Sequence, residues 1–141
     1  MKNLSKQHVL SDGLPIYRRL QSDDQDSVRL LTVEDLIKIA QQMSPAEVKE
    51  QLLKQIRHSI ADKSWRVRYM AAQHFNEVSH VVFARSSALT LRLQLAEAVG
   101  VELVREELIG QYVQLLKDNE AEVRTAAAGQ IPGEFNLWVL N

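Results

Sequence analysis

The chain has 141 residues, 45% of them hydrophobic and 25% charged, with a formal net charge of −1. This composition is typical of one globular domain, and the near-zero charge argues against a surface built for nucleic acid or anionic membranes. The absence of cysteine excludes disulfides and thiolate metal sites.

The first half of the chain is predicted to be helical throughout. Residues 1–13 are polar and are interpreted as a flexible leader without the apolar core of a secretory signal. A short helix over 14–20 precedes a longer one over 26–43. Its inward positions are expected to be Val28, Leu31, Leu36, Ile39, Ala40 and Met43.

The second helical pair begins at Ser44-Pro45-Ala46-Glu47, which has the form of a capping box with Pro at the first helical position. It predicts a helix over 45–60, followed by one from Asp62 to about Val82. The apolar face of the first of these is expected to be Val48, Leu52, Leu53, Ile56 and Ile60.

The segment after the Asp62 helix combines a strand-like pattern with residues that favour a helix. Leucines alternate from 89 to 95 as in a strand, but an isolated strand would have no partner. A helix is therefore predicted from Ser87 to Val99 and is expected to end at Gly100. Helices over 101–117 and 119–130 follow. The apolar tail 132–141 is expected either to fold back as a cap or to be exposed.

One pattern occurs three times: an Asp stands five residues before a Val-Arg pair. The steps are 39 residues from Val28 to Val67 and 56 residues from Val67 to Val123. A period near 39 is typical of helical hairpins that bury their apolar faces only by stacking. The alternative is three unrelated capped helices.

Each Asp of this pattern can cap a helix start, and each Arg, six residues later, lies near the same end. The Arg can there meet an Asp of its own or of the adjacent repeat. The sequence therefore predicts an Asp–Arg ladder that fixes the stacking register, although an exposed rung would contribute only ~0–1 kcal/mol.

The segments that carry this pattern resemble three consecutive middle HEAT repeats of the scaffold (A-type, 65-kDa regulatory) subunit of protein phosphatase 2A. They are SDDQDSVRLL (22–31), DKSWRVRYMAAQHF (62–75) and EAEVRTAAA (120–128), and LAEAVG (95–100) fits the end of the second repeat. The resemblance covers roughly residues 14–80 and 95–129.

The resemblance implies an all-α, right-handed superhelix of about three helical hairpins. The expected repeats are 14–43, 44–82 with an inserted helix at about 83–100, and 101–131. It also implies a non-catalytic scaffold of the cytoplasm, with the nucleus as a second location. Its expected partner is a B-type regulatory subunit, with the catalytic subunit bound only if other repeats are supplied.

The best candidate site is the ridge of intra-repeat loops, which in the resembled family receives regulatory subunits. Trp65 and Arg66 lie there, and both residue types are enriched in interface hot spots. The alternatives are a Trp65 that packs against the next repeat and charged residues that only solvate a turn. The predicted protein-binding set is Asp24, Gln25, Asp62, Lys63, Ser64, Trp65, Arg66, Asn119 and Glu120.

No catalytic, metal or cofactor constellation is predicted. His74 and His80 are six residues apart and would lie on different helix faces, and Ser86 and Ser87 lack a local base. Three alternatives to the phosphatase scaffold stay open. They are a general HEAT or armadillo adaptor, a HEAT-fold base-excision glycosylase with a cationic face, and a truncated product without a function.

Overall fold

The computed structural model describes residues 6–43, 47–78 and 98–130, and these ranges contain helices and turns but no strand. Six helices follow one another there, the first and third of which include a π-helical turn. They are α1 (Lys6–His8, the π turn Val9–Gly13 and Leu14–Gln21), α2 (Asp26–Ala40), α3 (the π turn Val48–Leu52 and Leu53–Ile60), α4 (Trp65–Gln73), α5 (Ala98–Leu116) and α6 (Ala121–Gly129). A further helical turn at 75–78 follows α4.

The six helices form three stacked hairpins, which we call repeat 1 (α1 and α2), repeat 2 (α3 and α4) and repeat 3 (α5 and α6). Within each repeat the two helices pack on each other. Between repeats, α4 packs on both α2 and α6, and α3 packs on α5. Because the main contacts join neighbouring repeats, the chain forms a HEAT-type solenoid, and the all-α prediction is confirmed. The handedness of the superhelix stays a prediction.

A continuous apolar core lies between the two layers of helices. All five residues predicted on the apolar face of α3 are buried in it, from Val48 to Ile60. Tyr112 of α5 contacts both repeat 2 and the other helix of its own repeat. Its ring centroid lies 5.2 Å from that of Phe75, and its hydroxyl donates to the Ala127 carbonyl of α6 at 2.7 Å. Aromatic packing of this kind fixes how repeat 3 sits on repeat 2.

Buried amides also connect α1 to α3. The Gln21 Nε2 atom donates to the Gln55 carbonyl at 3.0 Å and to the Ser59 hydroxyl at 3.1 Å. Gln21 is almost fully buried, so these bonds satisfy donors that would otherwise be costly to remove from water. They orient the outer layer of repeat 1 on repeat 2.

The flexible leader predicted over residues 1–13 is wrong for residues 6–13, which belong to α1. Val9 is buried, and Leu10 packs against the core. These two apolar side chains hold the segment against the core, although most of its other residues are polar. The first helix is consequently longer than the predicted 14–20, and repeat 1 begins before residue 14.

Several predicted boundaries and inward positions also need correction. Leu31 is 59% exposed and Val28 is half-buried, because nothing in the described structure covers the outer side of repeat 1. Gly100 does not end a helix but lies inside α5, so the boundary between 100 and 101 falls within a helix. An internal glycine costs only about 1 kcal/mol relative to alanine, which a helix of this length tolerates.

Two helices also end earlier than predicted. Helix α2 ends at Ala40 rather than Met43, and α4 ends at Gln73, with a turn at His74 before residues 75–78. The predicted Ser44-Pro45 cap, most of the inserted helix and the tail 132–141 lie outside the described residues.

Candidate functional site

The three intra-repeat turns share one local structure, built on the repeated Asp. In each turn the Asp carboxylate accepts a hydrogen bond from the backbone N–H two residues later, which forms an Asx turn. The distances are 2.9 Å from Gln25 N to Asp23, 2.8 Å from Ser64 N to Asp62 and 3.0 Å from Glu120 N to Asp118. The Asp thus fixes the residue that precedes each helix. It is not the helix cap that the sequence predicted, because Gln25, Ser64 and Glu120 occupy the three N-cap positions.

The repeated Arg closes the same turn from the other side. Its Nη1 group donates to the carbonyl of the Asp and to that of the following residue. Two consecutive carbonyl groups of the turn are therefore bonded to the helix that follows. The distances are 2.7 and 3.1 Å for Arg29 to Asp23 and Asp24, 2.8 and 3.3 Å for Arg68 to Asp62 and Lys63, and 2.6 and 2.9 Å for Arg124 to Asp118 and Asn119.

The remaining guanidinium nitrogens reach the Asp of the next repeat and form the predicted ladder. Arg29 donates from Nε and Nη2 to the two Asp62 oxygens, each at 2.9 Å, and both side chains are only 4% exposed. Arg68 donates to Asp118 at 2.6 and 3.0 Å, with 17% and 9% of the side chains exposed. Both rungs are bidentate, the strongest geometry for this pair.

The rungs change the acidity of their carboxyl groups. Burial raises the pKa of Asp62, but the hydrogen bonds from Arg29 and from the Ser64 N–H outweigh it, so the pKa lies below its usual range. The hydrogen bond from Arg68 lowers the pKa of Asp118, against a smaller effect of burial. Both groups are therefore charged at neutral pH, and each carries a matched countercharge.

The exposed side of the middle turn carries a small cationic and aromatic cluster. Trp65 is 40% exposed, and the Arg66 guanidinium lies 5.8 Å from its ring centroid. The rings of Trp65 and Tyr69 form a T-shaped pair with their centroids 6.4 Å apart. Asp26 of the preceding turn accepts from the Ser64 hydroxyl at 2.8 Å and lies 3.7 Å from Arg66. These contacts join the first and second turns into one continuous ridge.

The structure places eight of the nine predicted binding residues at the surface of this ridge. Asp62 is the exception, because it is buried beneath Arg29, and its predicted docking role is corrected to a structural one. Of the others, Ser64 is half-buried and seven are accessible at the turns: Asp24, Gln25, Lys63, Trp65, Arg66, Asn119 and Glu120.

Asp26 and Tyr69 also belong to the ridge but were not predicted there. Asp26 could have been found from the repeat register, since Asp26, Trp65 and Ala121 each follow their repeat's Asp by three residues. Tyr69 lies four residues after Trp65, which places the two rings on one face of α4. Spacing alone is a weak reason to assign either residue to a binding surface, because neither belongs to a recognisable motif.

Among the described residues, no group of three or more His, Cys, Asp or Glu side chains is placed to hold a metal ion. His74 lies within 3.8 Å of Glu34 and 3.4 Å of Glu77 at the far end of α4. Nor does any helix in the described ranges have the length and apolarity needed to cross a membrane.

Comparison with known proteins agrees with the repeat pattern. Residues 102–137 match a family model described as a PPP2R1A-like HEAT repeat. The chain is 38% identical over 105 residues to the A-type regulatory subunit of protein phosphatase PP2A from Schizosaccharomyces pombe, covering 74% of this chain and 15% of that protein. It is 36% identical over 67 residues to the protein of the same name from Saccharomyces cerevisiae, covering 45% of this chain and 11% of that protein.

Proposed function

Because the chain belongs to the HEAT-repeat family of the A-type regulatory subunit of protein phosphatase 2A, we propose that it is a non-catalytic scaffold segment that presents its intra-repeat ridge to a B-type regulatory subunit. The chain spans only 15% and 11% of the two curated relatives. We therefore assign it only the regulatory-subunit contact of a scaffold. We expect the catalytic subunit to bind only where further repeats are supplied.

The observation that carries this proposal is an exposed Trp65–Arg66 pair on a rigid turn. The turn is held by the Asp62 carboxylate, by two bonds from Arg68 and by the buried rung from Arg29. A partner would lose little backbone entropy when it binds a surface that is already fixed. Trp and Arg at the centre of an interface are the side chains most often found to dominate affinity.

The charges along the ridge indicate what the partner must offer. The first turn exposes Asp24 and carries Asp26, the middle turn exposes Lys63 and Arg66 around Trp65, and the last turn exposes Glu120 and Glu122. A complementary surface has an apolar pocket and acidic groups at its centre, with basic groups on either side. Such complementarity sets partner choice and association rate more than affinity.

The proposal is tested by measuring the affinity of the chain for purified B-type subunits, with and without Trp65→Ala plus Arg66→Ala. Loss of a hot-spot pair costs at least about 2 kcal/mol, so we expect at least a roughly 30-fold weaker Kd. Circular dichroism of the variant should remain helical, since Trp65 is 40% and Arg66 62% exposed and neither belongs to the buried core.

Arg19→Ala plus Leu20→Ala is the matched control. It also removes an exposed Arg and a large apolar side chain with 39% exposure, but in the last turn of α1 and outside the predicted binding set. We expect this variant to bind as the parent chain does. Equal loss of affinity in both double variants would overturn the ridge assignment. A parent chain that binds no B-type subunit, yet binds an unrelated partner, would instead favour the general HEAT adaptor.

A further inference from the structure

A polar groove runs between α1 of repeat 1 and α3 of repeat 2. Its outer cavity has a volume of about 470 Å³, and a second cavity of about 360 Å³ leads from it to the first and second turns of the ridge. Gln21, Ser22 and His58 line both cavities, so the two form one groove. The groove therefore lies inside the stack, with one described repeat on each side of it.

The walls of this groove carry basic side chains. Arg18 and Lys54 line the outer cavity, His58 lies where the two cavities meet, and Lys63 lines the inner cavity. All four side chains are exposed, and none of them forms an ion pair within the described part of the chain. They are therefore available to an anion that enters the groove.

The carboxylates are unevenly distributed along the groove. Glu50 is the single carboxylate among the described residues that line the outer cavity. The inner cavity is lined by Asp23 and Asp24, and by an Asp62 carboxylate that Arg29 already neutralises. The excess of basic groups therefore lies in the outer cavity and at its junction with the inner one.

Comparison with repeat 3 shows that the fold does not require these basic groups. Lys54 and His58 stand eight and four residues before Asp62, and Lys63 directly follows it. The same places around Asp118 hold three uncharged residues, which are Gly110, Gln114 and Asn119. The basic side chains of repeat 2 are thus a property of this groove and not of the repeat.

The outer bridge between repeats differs in the same direction. Arg18 of repeat 1 donates to Gln51 of repeat 2, and Arg57, which holds the same place in repeat 2, donates to Glu107 of repeat 3. The Glu107 carboxylate neutralises Arg57, whereas Gln51 is a neutral amide. Arg18 therefore brings a positive charge to the groove that its counterpart does not bring to the next repeat.

We propose that this groove binds a phosphorylated peptide segment, with the phosphate in the outer cavity between Arg18, Lys54 and His58. Lys54 and His58 are one helical turn apart, so both can donate to one anion. The Arg18 guanidinium adds a further charge-assisted donor from the opposite wall. Clustered basic side chains are a recurrent means of recognising a phosphorylated side chain, whose nearly dianionic phosphate accepts several such bonds.

The shape of the groove indicates a peptide and not a free phosphate ester. The groove continues from the outer cavity to the ridge, which leaves room for the residues that flank a phosphorylated side chain. This site is separate from the Trp65–Arg66 surface, and the proposal does not depend on the binding of a regulatory subunit there.

Fluorescence anisotropy with a labelled Gly-Ala peptide that carries one central phosphoserine tests the proposal. Against the same peptide with unmodified serine, we expect binding at least about tenfold tighter, because the phosphate gains charge-assisted hydrogen bonds. This preference should shrink as salt is raised, since the basic groups are exposed. Equal affinity for the two peptides would overturn the proposal, and inorganic phosphate that bound as tightly as the phosphopeptide would overturn the choice of a peptide.

The triple variant Arg18→Gln, Lys54→Gln and His58→Gln tests the location of the site. All three side chains are exposed, so the variant should keep the helical circular dichroism of the parent chain while losing the preference for the phosphopeptide. Arg19→Gln is the matched control, because Arg19 is also exposed on α1 but does not line the groove. A triple variant that kept the preference, or an equal loss in Arg19→Gln, would contradict binding in this groove.

Discussion

The two rungs of the ladder have the same connectivity but different surroundings. Arg29 and Asp62 join repeats 1 and 2 and are almost completely buried, whereas Arg68 and Asp118 join repeats 2 and 3 and keep some access to solvent. The sequence signature is the same in both. The signature therefore sets which atoms pair, while the packing around the pair sets how deeply it is buried.

The largest expected effect is the loss of the buried rung. Arg29→Ala leaves the Asp62 carboxylate buried without its countercharge, which should lower the free energy of unfolding by ~3–5 kcal/mol. Arg68→Ala removes bonds to a partly hydrated carboxylate and should cost about 1–3 kcal/mol. Urea unfolding followed by circular dichroism measures both.

Arg124→Ala is the natural control for this pair of variants. Arg124 closes its own turn as the other two arginines do, but it makes no rung within the described residues. Its loss should cost at most about 1 kcal/mol, the usual net value of the hydrogen bonds removed. If the three variants were equally destabilised, burial of the rung would not be what distinguishes them.

Acid should weaken the rungs in a predictable direction. The folded-state pKa values of Asp62 and Asp118 are lowered, so their contribution is present above the unfolded value of about 3.9 and is lost as pH falls through the folded values. The stability difference between the parent chain and Asp62→Asn should therefore shrink as pH is lowered from neutral into the acid range below about 4.

Urea titrations at several pH values measure that difference directly. Asp118→Asn should follow the same trend with a smaller amplitude, since its rung is less buried. A difference that stayed constant down to the most acid pH would mean that the charge of Asp62 does not contribute to folding.

The ladder itself could be predicted from sequence, because the spacing of Asp, Val and Arg is local. Its strength could not, since the burial of Arg29 and Asp62 depends on the packing of two repeats and not on the spacing of the residues. Leu31 shows the opposite error, as helical periodicity placed it inside while it is 59% exposed in the part of the chain that the structure describes. In a solenoid, burial depends on the adjacent repeat, which periodicity within one helix does not report.

The remaining differences have local physical reasons. Val9 and Leu10 anchor a polar segment that composition alone assigned to a leader. Gly100 was predicted to end a helix, but it lies inside α5, which continues to Leu116. On the ridge, the exposure of Trp65 followed from its place in the first helical turn, whereas the burial of Asp62 depended on Arg29 of another repeat.

A double-mutant cycle on Arg29 and Asp62 tests most directly whether the ladder holds the repeats together. The free energies of unfolding of Arg29→Ala, Asp62→Ala and the double variant give the coupling between the two side chains. We expect a coupling of about 2–3 kcal/mol, near the upper end for residues in contact and larger than that from the same cycle on Arg68 and Asp118. Additive losses, with a coupling near zero, would contradict the ladder's role in joining repeat 1 to repeat 2.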